Sequence, residues 1–267
     1  MLHQHEEPIL VSNNEKGSGA IFFAGCNLKC VYCQNYDVSH SANGLTITPK
    51  ELANIFKELE LNGAGNIDLV SPTQYTNQII EALKIYKPKV PVIWNTGGFE
   101  TAENIQKLKG LVDIYLTDFK YANNNHALKY SKASNYVENA KQALIEMKKQ
   151  YASNIFENGK LVKGIIVRHM VIPTLCKDSI NVLNTIENLL GKDAIVSIMS
   201  QYTPNGQLQN KFPEINRTIT NLEYKLVVNH AIKLGLKNAF IQELNSANNK
   251  YTPNFNNEIF EIKKPQD

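Results

Sequence analysis

AIFFAGCNLKCVYCQN, residues 20–35, changes character halfway along. Residues 20–25 form a short, almost continuously apolar run that reads as a buried strand. The rest carries three of the chain's four cysteines, Cys26, Cys30 and Cys33, interleaved with Asn27 and Lys29 in a way that suits a loop. A strand followed at once by a chemically equipped loop is the unit of a parallel α/β sheet, which gathers its functional residues beyond the carboxyl ends of its strands.

The same unit recurs. NIDLVS (66–71), VPVIWN (90–95), VDIYLTDF (112–119), GIIVRHMVI (164–172), AIVSIM (194–199) and NAFIQ (238–242) are apolar nearly throughout, as in parallel strands covered on both faces. Helices are expected between them. Thr48-Pro49-Lys50-Glu51 offers a capping box with proline at the first helical position. Leu52, Ile55, Phe56 and Leu59 then make an apolar stripe, and Gly63 is a stop. Thr220 with Glu223 opens another helix that Gly235 closes. Further helices are expected over 74–86, 101–109, 134–151 and 178–190. Such alternation predicts a parallel sheet, open or curled into a barrel. With no linker rich in proline, glycine or serine and no repeat, one domain is expected over 1–245. Residues 246–267 then form a polar C-terminal extension of the kind that chain ends leave disordered.

Composition narrows the function. With 267 residues, 43% hydrophobic and 20% charged, the chain is expected to bury a real core. A net charge of +3 is too small for a nucleic-acid footprint. The opening MLHQHEEPIL lacks the lysines and apolar run of a signal peptide, and no segment has the apolar length to cross a bilayer. A cytoplasmic location is therefore expected, with thiols kept reduced.

Three readings of the cysteines compete. They can be small buried hydrophobes, they can bind zinc, or they can hold an iron–sulfur cluster. Packing on a helix is discouraged by Gly25 and the strand before it, and disulfides suit a reduced compartment poorly. Structural zinc wants four ligands, yet His40 is the nearest fourth and Cys176 is far off. A four-iron cluster held by three thiolates leaves one iron open, which suits binding a substrate or cofactor better than plain electron transfer.

Cys26-x-x-x-Cys30-x-x-Cys33, with the aromatic Tyr32 before the last cysteine, resembles the signature of the radical S-adenosylmethionine enzymes. The stretches EEPIL, GSGAIFFAGCNLKCVYCQN, LVSPTQY, NTGGFE, DIYLTDFKY, IVRHMVIP and SQYTP are similar, in order, to a subgroup related to pyruvate formate-lyase activating enzyme. The resemblance implies a partial (β/α) barrel of the radical SAM type. It implies a 4Fe–4S cluster whose open iron takes the amino and carboxylate groups of S-adenosylmethionine. An electron from a low-potential donor such as flavodoxin or ferredoxin would then yield a 5′-deoxyadenosyl radical for hydrogen abstraction. A glycyl-radical protein is the implied partner. A peptide, nucleotide or small metabolite is the alternative substrate, and a non-enzymatic iron–sulfur or zinc protein is the alternative from another class.

The resemblance also ranks the polar residues at the strand ends. Where many members have Gly-Gly-Glu after the second strand, this chain has Ser71-Pro72-Thr73-Gln74, so Thr73 is the candidate contact and the acid is missing. Asn95-Thr96-Gly97-Gly98 stands where the activating enzyme has Asp-Thr-Asn-Gly, so Asn95 replaces an acid and a cation site implied there loses a ligand. Asp118-Phe119-Lys120 resembles Asp-Leu-Lys. Alternation points Asp118 and Lys120 to one face, and inside the barrel mouth Lys120 would meet the cofactor's carboxylate while Asp118 balances its charge. Arg168 is one of only two arginines among 28 basic residues and sits inside an apolar strand. Buried arginine needs partners, and a carboxylate is its natural bidentate mate. Tyr32, Thr73, Asn95, Asp118, Lys120 and Arg168 are thus the expected cofactor contacts. His169 points the other way, Cys176 has a packing role by default, and Gln201 and Tyr202 are expected to line the substrate side. One departure concerns substrate: the Gly-x-Gly-x-Arg stretch of activating enzymes keeps Gly17 and Gly19 here, but Ile21 replaces the arginine.

Overall fold

The computed structural model describes residues 2–3, 7–12, 15–41, 44–204, 208 and 211–242, so the extension at 246–267 lies outside the described residues. The strands are β1 (Leu2–His3), β2 (Ser18–Phe22), β3 (Ile67–Val70), β4 (Val92–Thr96), β5 (Ile114–Asp118), β6 (Ile155–Glu157), β7 (Lys160–Met170), β8 (Ile195–Met199) and β9 (Asn238–Ile241). The helices are α1 (Tyr36–His40), α2 (Pro49–Leu61), α3 (Thr76–Ile85), α4 (Ala102–Lys107), α5 (Asn124–Ser131), α6 (Tyr136–Gln150), α7 (Cys176–Leu190) and α8 (Asn221–Leu234). Among the described residues no helix is long and apolar enough to cross a membrane.

Each expected apolar run supplies a strand. β2, β3, β4, β5, β7, β8 and β9 lie side by side in that order, all parallel. β1 pairs antiparallel with the outer side of β2, and β6 pairs antiparallel with β7. Alternate residues on a strand face opposite sides, and here the two sides are two cores. Trp94, Tyr115, Val167 and Val196 join the large core beneath the helices. Ile93, Ile114, Leu116, Ile166 and Ile195 form a smaller cluster on the other face, closed from below by Leu10 of the 3-10 turn Pro8–Leu10. The sheet curls around that smaller cluster as a partial barrel, and the concave face continues upward into polar residues.

The expected caps are made. Thr48 Oγ1 accepts from Glu51 N–H at 3.2 Å while Thr48 N–H donates to the Glu51 carboxylate at 2.7 Å. Thr220 and Glu223 repeat the box at 3.2 and 2.8 Å, and Gly235 ends α8 in the left-handed region at φ 75°. The sequence reading starts the fifth run at residue 164, whereas β7 begins at Lys160. The reason is a β6–β7 hairpin turning on Asn158-Gly159 (φ 51° and 81°), a pair that favours positive φ at both turn positions. α1 and α5 are additional short helices without a strong apolar stripe.

Candidate active site

The loop carrying Cys26, Cys30 and Cys33 has no strand or regular helix of its own, so neighbours must fix it. Three do. Gln74 Nε2 donates to Gly25 C=O at 2.8 Å, and Tyr75 Oη to Ala24 C=O at 2.9 Å. Asn27 Nδ2 donates to Phe99 C=O at 2.6 Å. Lys29 and Val31 N–H groups donate to Ser131 and Tyr130 C=O at the end of α5, at 3.0 and 2.9 Å. The loop is thus tied to the turns after β3 and β4 and to a helix after β5. All four cysteines of the chain are free.

The three loop cysteines line a cavity of about 230 Å³ at the carboxyl ends of the strands, together with Tyr32, Asp68, Asn95, Asp118, Lys120 and Arg168. Arg168 Nε donates to Asp118 Oδ1 at 2.8 Å, and its Nη2 to Asn95 Oδ1 at 2.6 Å. Lys120 Nζ donates to Asp118 Oδ2 at 2.5 Å, and Asn95 Nδ2 to Asp68 Oδ2 at 3.3 Å. Four of the six expected cofactor contacts therefore form one network, with Asp68 as a fifth member that the sequence reading passed over. Burial opposes ionisation of Asp118, but Arg168 and Lys120 outweigh it and hold the carboxyl below its ordinary range. Burial likewise works against a charged Lys120, and Asp118 overcomes it, so the ammonium is held above its ordinary value. The two acids and two cations sum to zero charge.

Tyr32 also lines the cavity, its ring 5.7 Å from that of Tyr202 and its hydroxyl 2.6 Å from that of Tyr121. Thr73 is not among the lining side chains, and its hydroxyl donates to Glu100 at 2.6 Å. Glu100 is a second residue that sequence reasoning missed. It is 2% exposed and takes donors from Thr73, Trp94 Nε1 (3.0 Å), Thr96 Oγ1 (2.9 Å) and Asn104 Nδ2 (2.9 Å). One carboxylate thereby locks the turns after β3 and β4. Its signal was present in NTGGFE, whose closing acid follows a pair of glycines in a buried stretch.

Those glycines are required by space. A Cβ on Gly98 (φ 80°) would stand 2.0 Å from Asp118 C=O, and one on Gly97 would stand 2.8 Å from Leu28 of the cysteine loop. Ser71, in the place where the resemblance expects glycine, adopts the left-handed φ of 55° and lines the cavity. His169 faces the helix layer, 2% exposed, with Nδ1 2.7 Å from Phe119 C=O. Gln201 lines the cavity beside Met199, whereas Tyr202 sits behind it with its hydroxyl on Ile215 C=O at 2.8 Å. Cys176 begins α7, away from the other thiols, and its thiol donates to Glu223 C=O at 3.7 Å.

The thiols suit a multinuclear cluster better than a single ion. Among the described residues no three His, Cys, Asp or Glu side chains stand close enough to share one metal ion, whereas a cluster spreads its ligands over several irons. Each sulfur also meets a donor: Leu28 N–H on Cys26 at 3.5 Å, Ser131 O–H on Cys30 at 3.0 Å and Ser39 O–H on Cys33 at 3.2 Å. Such donors stabilise metal-bound thiolates and tune clusters. Burial pushes the Cys30 thiol up to about 11 and raises Cys33 as well. Iron held by these cysteines would supply the positive charge that deprotonates such buried thiols.

Comparison with known proteins agrees with this geometry. The family model described as the Radical SAM superfamily matches residues 20–177. The uncharacterized protein MJ0674 of Methanocaldococcus jannaschii is 34% identical over 249 residues, covering 88% of this chain and 66% of that protein. Among solved structures, Streptococcus suis SuiB bound to its precursor peptide SuiA superposes with a TM-score of 0.57 at 11% identity, over 85% of this chain and 50% of SuiB. Methylornithine synthase (PylB) gives 0.56 at 14% identity, over 83% of this chain and 63% of PylB. This chain thus spans about two thirds of its curated relative and half to two thirds of these enzymes, which at such identity share its fold. On the family match the chain belongs to the radical SAM superfamily, whose enzymes work with a 4Fe–4S cluster and S-adenosylmethionine.

Proposed function

We propose that the chain is a hydrogen-abstracting radical SAM enzyme that acts on a loop of a partner protein, the reaction class of the glycyl-radical activating enzymes. In this reading Cys26, Cys30 and Cys33 each hold one iron, and Asn95, Asp118, Lys120 and Arg168 receive the amino-acid end of S-adenosylmethionine. The observation that carries it is the ion-paired network and the three thiols lining one cavity. When bound, the two cofactors supply a carbon-centred radical able to abstract a hydrogen atom. A low-potential flavodoxin or ferredoxin is the reductant the reading requires.

The chain's own residues have defined tasks. Asp118 keeps Lys120 and Arg168 charged side by side inside the barrel, where an unpaired cation would be expensive. Lys120 uses one of its three N–H donors on Asp118, which leaves others for an arriving carboxylate. The zero net charge lets a zwitterionic amino-acid group enter without building up charge. Gly97 lets the turn after β4 approach the cysteine loop closely, and Gly98 lets it approach the end of β5. Farther along the wall, Phe22, Val70, Met170, Met199 and Gln201 present apolar surface and one amide. This apolar stretch favours an uncharged peptide segment over an ionic metabolite. Among the described residues β1 and β9 do not pair with each other, so the barrel has an open side for such a segment.

The test begins with the cluster. Anaerobically reconstituted protein should carry about four iron and four sulfide ions per chain. Alanine at Cys26, Cys30 or Cys33 should abolish them, and Cys176→Ala should not. Reduced enzyme with S-adenosylmethionine is then incubated with a glycyl-radical protein of the same organism. A glycyl doublet in the electron paramagnetic resonance spectrum, lost in Cys30→Ala, is the expected outcome. Slow cofactor cleavage with no doublet on any such protein would move the reaction to another hydrogen donor, as the Ile21 departure would then explain.

A further inference from the structure

Cys30 is the most buried of the three loop thiols, and its sulfur ends a row of buried hydroxyls. Ser131 Oγ donates to Cys30 Sγ at 3.0 Å. Tyr121 Oη lies 2.7 Å from Ser131 Oγ, and Tyr32 Oη lies 2.6 Å from Tyr121 Oη. A sulfur bound to iron has no proton and can only accept. Each hydroxyl has one proton to give, so the direction is forced along the row. Ser131 donates to Cys30, Tyr121 therefore donates to Ser131, and Tyr32 donates to Tyr121.

Bonds in such a row polarise one another, so the final O–H···S contact is stronger than that of a lone serine. The row is also rigid. Ser131 closes α5, and the cysteine loop docks on that helix end through Lys29 and Val31 N–H. The Tyr121 ring packs edge-on to Tyr136 at 5.6 Å. The other two sulfurs are held differently, and Cys33 takes the Asn35 backbone N–H besides Ser39 Oγ. Ser39 Oγ, on Cys33, also lies within reach of Tyr36 C=O and the His40 ring, and Cys26 has Leu28 N–H at 3.5 Å. Tyr32 thus does something that phenylalanine at the same motif position could not.

We infer that Ser131, Tyr121 and Tyr32 form a positioning row that raises the reduction potential of the cluster through Cys30. One-electron reduction makes the cluster more negative by one charge, and a polarised donor on a ligating sulfur stabilises the more negative form. The electron comes from the low-potential donor, and no proton leaves the row. The inference rests on Cys30 as a cluster ligand.

The test is an anaerobic redox titration of the reconstituted holoenzyme, following the reduced-cluster signal by electron paramagnetic resonance with iron and sulfide measured on every sample. Ser131→Ala should lower the reduction equilibrium constant about tenfold, or ~59 mV for a one-electron couple. Tyr121→Phe should lower it by a smaller factor and Tyr32→Phe by the least. Adding Tyr32→Phe to Tyr121→Phe should shift nothing more, because Tyr32 acts only through Tyr121. The phenylalanine variants keep the ring packing, so they decide the matter even if Ser131→Ala folds badly. Unchanged midpoints in Tyr121→Phe and Ser131→Ala at full iron content would overturn the inference alone. A complete cluster persisting in Cys30→Ala would overturn the assignment of the ligand, and the inference with it.

Discussion

Arg168 and Asp118 hold each other in place, and each explains why the other can be buried. Arg168 also reaches Asn95, so its planar donor fork is matched on two sides, a geometry a lysine cannot copy. Arg168→Lys should therefore behave much like Arg168→Ala. Both should weaken S-adenosylmethionine binding at least tenfold by equilibrium dialysis, and both should lower stability by less than the ~3–5 kcal/mol of an uncompensated buried charge, because Asp118 keeps Lys120. Wild-type affinity in both variants would remove Arg168 from the cofactor site. This arginine was legible from sequence because it is rare in the chain and stands in an apolar strand. Asp118 and Lys120 were singled out by the resemblance to Asp-Leu-Lys, and strand alternation added that they share a face. Asp68 was not, since one acid in NIDLV looks like a strand-end charge until the concave side is known. Glu100 left a signal in NTGGFE that was passed over, and Ser131 was illegible because its role depends on Cys30, distant in sequence.

At the level of elements, α5 decides more than its eight residues suggest, because its end supports the cysteine loop. Its start is capped by Asn123, whose side chain accepts from Asn125 N–H at 2.8 Å, but a run of three asparagines reads equally well as a turn. Its weak apolar stripe hid the rest. The seven parallel strands, by contrast, were legible because burial on both faces writes a continuous apolar run. The last turn of α5 ends in Lys132, a non-glycine residue at φ 57°. A left-handed conformation costs a residue with a Cβ about 1–2 kcal/mol, partly offset by the greater unfolded-chain entropy of glycine. Lys132→Gly should accordingly raise the urea midpoint, by about 0.5–1 kcal/mol in stability, while leaving iron content unchanged. A destabilised variant would mean that the lysine side chain itself secures the helix end.

For the whole molecule, the alternation of strands and helices left open whether the parallel sheet was flat or curled, and the resemblance to the radical SAM enzymes implied a partial barrel. The inward cluster around Ile93 and Leu116, sealed by Leu10, settles it as a partial barrel, and no local pattern encodes that choice. The opposite face carries the buried His169, whose pKa burial pushes down to about 4. Unfolded histidine titrates near ~6.5, so between roughly pH 4 and 6.5 the unfolded chain binds a proton that the fold refuses. Stability then rises with pH through that window and falls on acidification, by ~3 kcal/mol in all. Urea midpoints measured from pH 7 to pH 4.5 should show this slope, and His169→Asn should flatten it. An equal slope in the variant would assign the effect to other groups. An open barrel also has edges. Among the described residues β2 pairs on its outer side with the two residues of β1, where a Cβ on Gly17 would stand 2.6 Å from His3 C=O. An uncovered edge strand is a template for another chain. A fusion or substitution that dislodges Leu2 and His3 would turn β2 into an adhesive border, and the protein would begin to aggregate through backbone pairing long before its core had melted.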